Sequence, residues 1–397
     1  MVFEKRYPVL HLGRGGPIYG LSRQLLYLVA GLETGPFSQT VAISEPGSLQ
    51  GELAALGVDC RVQRMLPWRS LFYAGARYAD AWRLSALAAE KQCAIVHAHD
   101  VWRAEYAYFI AKRLNIPSVV HVRGPLTKRD ILKHRLFRAD AIIAIAQRYV
   151  DDLTDAGIAA GRITLIDDAV DLDLFSATSH PRQPSNVVRV GVVGRISPEK
   201  RIGEFLEIVA SLPPPILASA QFQVIGDWVD LDYRRQVEKD LDRLRLRKIV
   251  HFTGGYDSGA MPDQLAKIDL LVTLAGGSVM FEAMAMGAAV LAVRPDGRHS
   301  QHTRHDETAW CVATGHPELA AEALCLLLTD ARLRHRLARA GQGWITQNLG
   351  VASMVEKTHA FYERLLASRP RSRVFGQRDE SAPLQTSSRL LMQNHRH

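Results

Sequence analysis

The chain is poor in the features on which small secreted and membrane-embedded proteins depend. Its 397 residues include only four cysteines, Cys60, Cys93, Cys311 and Cys325. They lie far apart, with neither the short paired spacing of a zinc site nor the density of a disulfide framework, and read as buried thiols in a reducing cytoplasm. No apolar run approaches the roughly 20 residues of a membrane-crossing helix. The first residues, MVFEKRYPVLHLG, lead into a strand pattern and not into the apolar core of a signal peptide. A cytoplasmic protein is expected, peripheral on the inner face of a membrane if it meets one. Acidic residues are also in deficit: 41 Asp and Glu face 49 Lys and Arg, a net charge of +8 with pI near 9.4. That balance favours anionic partners such as nucleotide diphosphates or acidic lipid. Helix-turn-helix, zinc-finger and RNA-binding aromatic motifs are missing, so no nucleic-acid partner is expected.

What is present is a chain with 47% apolar residues, long enough for two domains with a core each. Strand-length apolar runs alternate with segments of helical period. In the first half the runs are VLHL, TVAIS, AIVHAH, SVVHV and AIIAIA, with amphipathic segments beginning near Pro17, Ser70, Trp102 and Leu126. The second half gives VVRVGVVG, FQVIG, IVHFTG, IDLLVTLA and AAVLAV. Such alternation predicts an α/β protein with two doubly wound parallel sheets. Residues 167–186, rich in Asp, Ser and Pro, read as the linker. The expected division is 1–170 for an N-terminal Rossmann-like domain, 187–350 for a C-terminal one, 351–368 for a final helix packing back towards the first domain, and 369–397 for a disordered tail. Ligands of open α/β sheets sit at the carboxyl ends of the strands, which makes the cleft between the domains the expected site.

Three stretches carry chemistry. GRGGPIYG follows the first strand and opens a helix, so Gly15 and Gly16 allow close approach of a ligand to backbone N–H groups, although the spacing is not that of a dinucleotide fingerprint. In GRISPEK, Arg195 and Lys200 bracket a loop at a strand end, two cations suited to the growing charge of a diphosphate leaving group. In LAGGSVMFEAMAMG, the N–H groups of Gly277, Ser278 and Val279 stand at a helix start and can hold phosphate oxygens. Glu282 is the one charge in that helix. A buried carboxylate needs a partner, either ribose hydroxyls or a local backbone group or arginine.

Taken together and in this order, the early Gly-Gly loop, GRISPEK, IGDW, HFTGGY and FEAMAMGAAVLAV resemble the retaining glycosyltransferases of family four, over about residues 7–368. The resemblance implies the GT-B fold: two Rossmann-like domains facing each other across a cleft. It implies that Gly16 lies beside the donor phosphates, that Arg195 and Lys200 pair with the diphosphate, that Glu282 holds the ribose, and that His121 lies near the transferred sugar. His97 and His99 share one face of a strand but show no third ligand at a diagnostic spacing, so no metal is expected. The chain departs from the family at Leu274, where relatives carry a glutamate that contacts the donor sugar, and in the loop RPDGRHSQHTRHDETAW.

The implied reaction is transfer of a sugar from a nucleotide diphosphate-sugar, the donor substrate, to a glycan or lipid-linked acceptor, without a cofactor. Cell-envelope polysaccharide synthesis is the expected setting. Between Cys60 and Arg138 basic residues greatly outnumber acidic ones, and Trp68, Phe72, Tyr73 and Trp82 lie among arginines, a composition that suits either contact with an anionic membrane or an ordinary helix whose aromatics pack on the core. The alternatives are a catalytically silent nucleotide-sugar-binding or partner subunit, which Leu274 favours, and a sugar-nucleotide epimerase on the same fold.

Overall fold

The computed structural model describes residues 6–368 apart from 19, 69, 184, 258 and 295–300. Among them, thirteen strands form two sheets, all paired in parallel. The first comprises β1 (Tyr7–Gly15), β2 (Phe37–Glu45), β3 (Asp59–Val62), β4 (Ile95–Ala98), β5 (Ser118–Val122), β6 (Ala141–Ala144) and β7 (Ile163–Leu165), in the order β3-β2-β1-β4-β5-β6-β7. The second comprises β8 (Val188–Val193), β9 (Ala220–Ile225), β10 (Val250–Gly254), β11 (Leu270–Thr273), β12 (Ala289–Arg294) and β13 (Trp310–Ala313), in the order β10-β9-β8-β11-β12-β13. Each is a doubly wound Rossmann-like sheet whose order reverses between its first and fourth strands.

Helices cover both faces of each sheet, so the central strands are apolar without alternation. SVVHV of β5 and AIIA of β6 are buried at every position. The first helix, Gly20–Leu32, turns Leu25, Leu28, Val29 and Leu32 inward on one stripe. Three short strands, β3, β7 and β13, were not anticipated from the sequence. They have four, three and four residues and lie at or next to sheet edges, where β3 and β7 have no fully buried position. The segment expected from Ser70 begins with a single turn, Leu71–Tyr73, and becomes helical at Ala74. Cys93 and Cys311 are buried, but Cys60 and Cys325 are only half-buried. The expected tail at 369–397 lies outside the described residues.

The linker is packed against both halves. Gln24 of the first helix exchanges two hydrogen bonds of 2.8 Å with the backbone of Ala169. Val170 N donates to Leu349 O at 2.7 Å, and Phe175 is inserted in a core cluster of the second domain. The last helix, Val351–Ala367, leaves the second domain and lies on the first. Met354, Phe361 and Tyr362 are buried there with Val9, Leu28 and Phe37. Gly31 permits this approach, since a Cβ there would stand 2.3 Å from Val355 Cγ2.

Candidate active site

The strand-order reversals put the sequence motifs on the two walls of one cleft. In the second domain, β8 leads to Gly194 and β11 to Gly276. Gly194 and Gly226 have to be glycine: their φ values are 137° and 156°, and a Cβ on Gly226 would lie 2.0 Å from Gly194 O. After Gly194 the chain turns at Pro198–Lys200, and Lys200 reaches over the crevice to donate to Gly276 O at 3.3 Å. Lys200 is half-buried, and loss of solvation holds its ammonium below the usual lysine range. Arg195 stands exposed beside it.

The helix Ser278–Ala285 starts after Gly277, whose φ of 114° and ψ of 167° are nearly exclusive to glycine. The N–H groups of Gly277, Ser278 and Val279 make no bond among the described residues. Lys200, Gly277, Ser278 and Val279 therefore form one basic, donor-rich corner suited to an anion. On the opposite wall, Gly15 and Gly16 carry φ of 86° and 78°, and a Cβ on Gly15 would stand 2.1 Å from Glu45 O. Gly16 N donates to Glu45 O at 3.2 Å, and Gly15 O accepts from Ser22 Oγ at 3.1 Å.

The walls meet through Glu282. Its Oε1 accepts from Arg23 Nη1 of the first helix at 2.8 Å, across 259 residues of sequence, and the two side chains are 5% and 9% exposed. Of the partners weighed for Glu282 from sequence, this conformation supplies the arginine, and from the other domain. Burial raises the Glu282 carboxyl above its ordinary range while Arg23 draws it back down.

At the carboxyl ends of β1, β4 and β5, four histidines share one buried space. The β1–β4 register sets His11 beside His97. His11 Nε2 lies 2.6 Å from Gln39 Oε1, an acceptor, so this nitrogen carries the proton. His11 Nδ1 then accepts from His99 Nε2 at 2.8 Å, which leaves His99 Nδ1 as a buried acceptor without a partner among the described residues. His97 Nδ1 is 2.7 Å from the Tyr362 hydroxyl of the last helix. His121 is buried and stacks on His97 with centroids 5.4 Å apart. Arg123 Nη2 donates to His121 Nδ1 at 3.2 Å, so His121 Nε2–H is a buried donor without a partner among the described residues. Burial makes all four imidazoles neutral at pH 7, bringing His11 down to about 4 and the other three well below their usual value. Arg123 is itself lowered to about 9 by burial and is paired with Asp168 of the linker.

The reading of His97 and His99 as a pair without a third ligand needs correction. His11 supplies one from another strand, with the three ligand nitrogens within 4.8 Å of each other. Two of those nitrogens already share the His11–His99 hydrogen bond, and the Arg123 cation beside His121 opposes a dication. At the family's glutamate position, Leu274 is 3% exposed in the second domain's core, and its carbonyl accepts from Arg201 Nη1 at 2.8 Å. Its side chain offers nothing polar to a sugar.

Sequence reasoning missed Arg23, His11, Arg123 and Arg201. Arg23 had a legible signal: it is the one charge in GLSRQLLYLVAGL, just as Glu282 is the one charge in SVMFEAMA. Lone opposite charges on two apolar helices have reason to meet.

Comparisons with known proteins bear on the fold and the family. The family profile described as Glycosyltransferase Family 4 matches residues 18–174, and that described as Glycosyl transferases group 1 matches residues 180–344. No curated protein matches the sequence. Among solved structures, HepE from Anabaena in complex with UDP and glucose superposes with a TM-score of 0.77 at 19% identity, covering 90% of this chain and 100% of that one. Sucrose-phosphate synthase from Thermosynechococcus elongatus gives 0.75 at 17% identity over 92% and 100%. The lipopolysaccharide outer core galactosyltransferase WaaB gives 0.69 at 15% over 90% and 99%. At these identities the structural likeness establishes the fold, GT-B.

Proposed function

The chain belongs to the glycosyltransferases of family four, and on that premise we propose that it transfers a sugar, with retention at the anomeric carbon, from a nucleotide diphosphate-sugar to a glycan or lipid-linked acceptor of the cell envelope. The observation that carries this reading is the corner formed by Lys200 and the N–H groups of Gly277, Ser278 and Val279, unbonded among the described residues, on a helix that meets the first domain through Arg23 and Glu282. Diphosphate departure gathers negative charge on the phosphate oxygens, and fixed donors and cations at that spot stabilise it. Arg195 reaches the same oxygens from solvent. Glu282 holds the ribose, and the His121 Nε2–H faces the transferred sugar. A phosphate oxygen takes the proton of the acceptor hydroxyl as it attacks on the leaving-group face, so no protein nucleophile is needed. These cations take the place of a divalent metal in the proposed reaction. The complexes of HepE with UDP and UDP-glucose make uridine donors the first to try.

The acceptor reading is carried by the surface. Between Arg61 and Arg138 there are fifteen Lys and Arg against five Asp and Glu, while the rest of the chain holds 34 against 36. Within that stretch Phe72 is 89% exposed and Trp82 and Trp102 are at least half exposed, with Arg113 stacked over Trp82 and Lys133 over Trp102. Trp68, by contrast, packs against Tyr78 and Tyr106. Exposed aromatics among cations suit the headgroup region of an anionic membrane, where a lipid-linked acceptor would be met on the cytoplasmic side.

A second reading is a nucleotide-binding subunit without transferase activity, favoured by the buried Leu274. The experiment that separates them is a thermal-shift screen with UDP, GDP and ADP and their sugars, with and without EDTA, followed by assay of sugar release and transfer. Stabilisation by one nucleotide that survives EDTA, with turnover, supports the transferase. Stabilisation without turnover supports the silent subunit, and no stabilisation by any nucleotide removes both.

A further inference from the structure

We infer that Arg23 is a positioning residue for Glu282, supplied by the opposite domain, so that the donor's ribose site is complete only when the two domains are closed on each other. The inference rests on the reading of Glu282 as the ribose-holding group and adds the residue that makes it competent.

Glu282 sits in a helix whose neighbours Met280, Ala283, Met284 and Ala285 are all buried apolar residues. A carboxylate there without a counter-charge would take up a proton, and a neutral carboxyl is a weaker acceptor for two adjacent hydroxyls. Arg23 is the counter-charge. It binds one oxygen only: Oε1 is engaged at 2.8 Å, and Oε2 has no hydrogen bond among the described residues. Arg23 thereby works against the effect of burial and favours the ionised form, with a second oxygen left to accept from a ligand.

The guanidinium is itself fixed. It lies over the Phe175 ring of the linker at 5.7 Å, and its helix is tied to that linker through Gln24 and Ala169. Other charged or titratable groups around the pair are Tyr27 on the first helix, Asp171 in the linker and Arg294 on β12, which touches Met280. The Tyr27 hydroxyl, close enough to feel the charges of Arg23 and Glu282, is buried without a hydrogen-bond partner among the described residues. Because Arg23 belongs to the first domain and Glu282 to the second, opening the cleft would break the pair and hand both groups to water. Domain closure and ribose capture therefore use the same carboxylate.

The test compares binding of UDP, GDP and ADP with binding of their 2′-deoxy counterparts to the full-length chain and to Arg23→Ala, Arg23→Lys and Glu282→Gln. Circular dichroism and melting curves verify that each variant is folded, and Arg23→Lys serves if Arg23→Ala is not. The wild type should prefer the ribonucleotide that binds by about tenfold, the worth of a hydrogen bond to a charged acceptor. Glu282→Gln and Arg23→Ala should both lose that preference, and Arg23→Lys should regain part of it. In Arg23→Ala the affinity for inorganic pyrophosphate should stay within about twofold of wild type, since the phosphate corner is separate. A merely structural arginine would lower the melting temperature and leave the ribose preference intact, which overturns the inference while the Glu282 reading stands. If the wild type itself shows no ribose preference, or no nucleotide binds, the Glu282 reading falls and takes the inference with it.

Discussion

Replacing Lys200 by methionine is the sharpest probe of the donor site. The substitution removes the ammonium and keeps the straight aliphatic stem that lies against Gly194, where a Cβ would stand 3.2 Å from Lys200 Cε. Two consequences follow with opposite weights. For folding, the loss is one 3.3 Å hydrogen bond to Gly276 O, worth about 1 kcal/mol net, and burial of the cation already disfavours its charged form. Stability should therefore change by no more than about 1 kcal/mol. For binding, the lost contact is a charge-assisted bond to a phosphate oxygen at the helix start, worth about 1.5–3 kcal/mol. The dissociation constant for the nucleoside diphosphate should rise roughly 10- to 150-fold. Isothermal titration with UDP in the presence of EDTA, run beside urea unfolding, measures both. An affinity within threefold of wild type in a stably folded Lys200→Met protein would refute the placement of the diphosphate at this corner.

His121→Ala should leave nucleotide affinity within about twofold but slow sugar transfer roughly 100-fold, the typical loss of one preorganised donor; full activity returns His121 to a packing role. Leu274→Glu places a carboxylate in the core of the second domain and should destabilise it by about 3 kcal/mol or more without improving transfer, as read by urea unfolding and turnover. A stable Leu274→Glu protein with raised turnover would show that the position can face the donor. Acidification should weaken the first domain. His11 is neutral when folded down to about pH 4 but takes up a proton near pH 6.5 when unfolded, so its contribution is full above 6.5 and is lost as pH falls towards 4, roughly 3 kcal/mol for this residue. His97, His99 and His121 act in the same direction, whereas Glu282, with its carboxyl raised by burial, acts against it. Urea midpoints at pH 7.5 and 5 measure the slope, and a His11→Asn variant with an unchanged slope would remove the histidine from the account.

What was legible in the sequence was what is local. The central strands are buried on both faces and so appear as unbroken apolar runs, and the corner proposed for phosphate appears because Gly194, Gly276 and Gly277 bend the backbone where each strand ends. The edge strands β3, β7 and β13 were illegible, being three or four residues long with mixed burial. The site residues that escaped share another property: each acts through a partner that only the folded chain brings near. His11 meets His97 through the register of two strands that are not consecutive, Arg201 meets the backbone of Leu274 across a strand crossover, and Arg23 meets Glu282 from another domain. None of these pairs has a fixed spacing to search for. A lone charge on an otherwise apolar helix is the one trace they leave, because burial obliges it to find a counter-charge somewhere in the structure. Two such helices of opposite sign in one chain define a candidate pair before any coordinates exist, and in a two-domain protein that pair is also a candidate for the contact that closes the cleft.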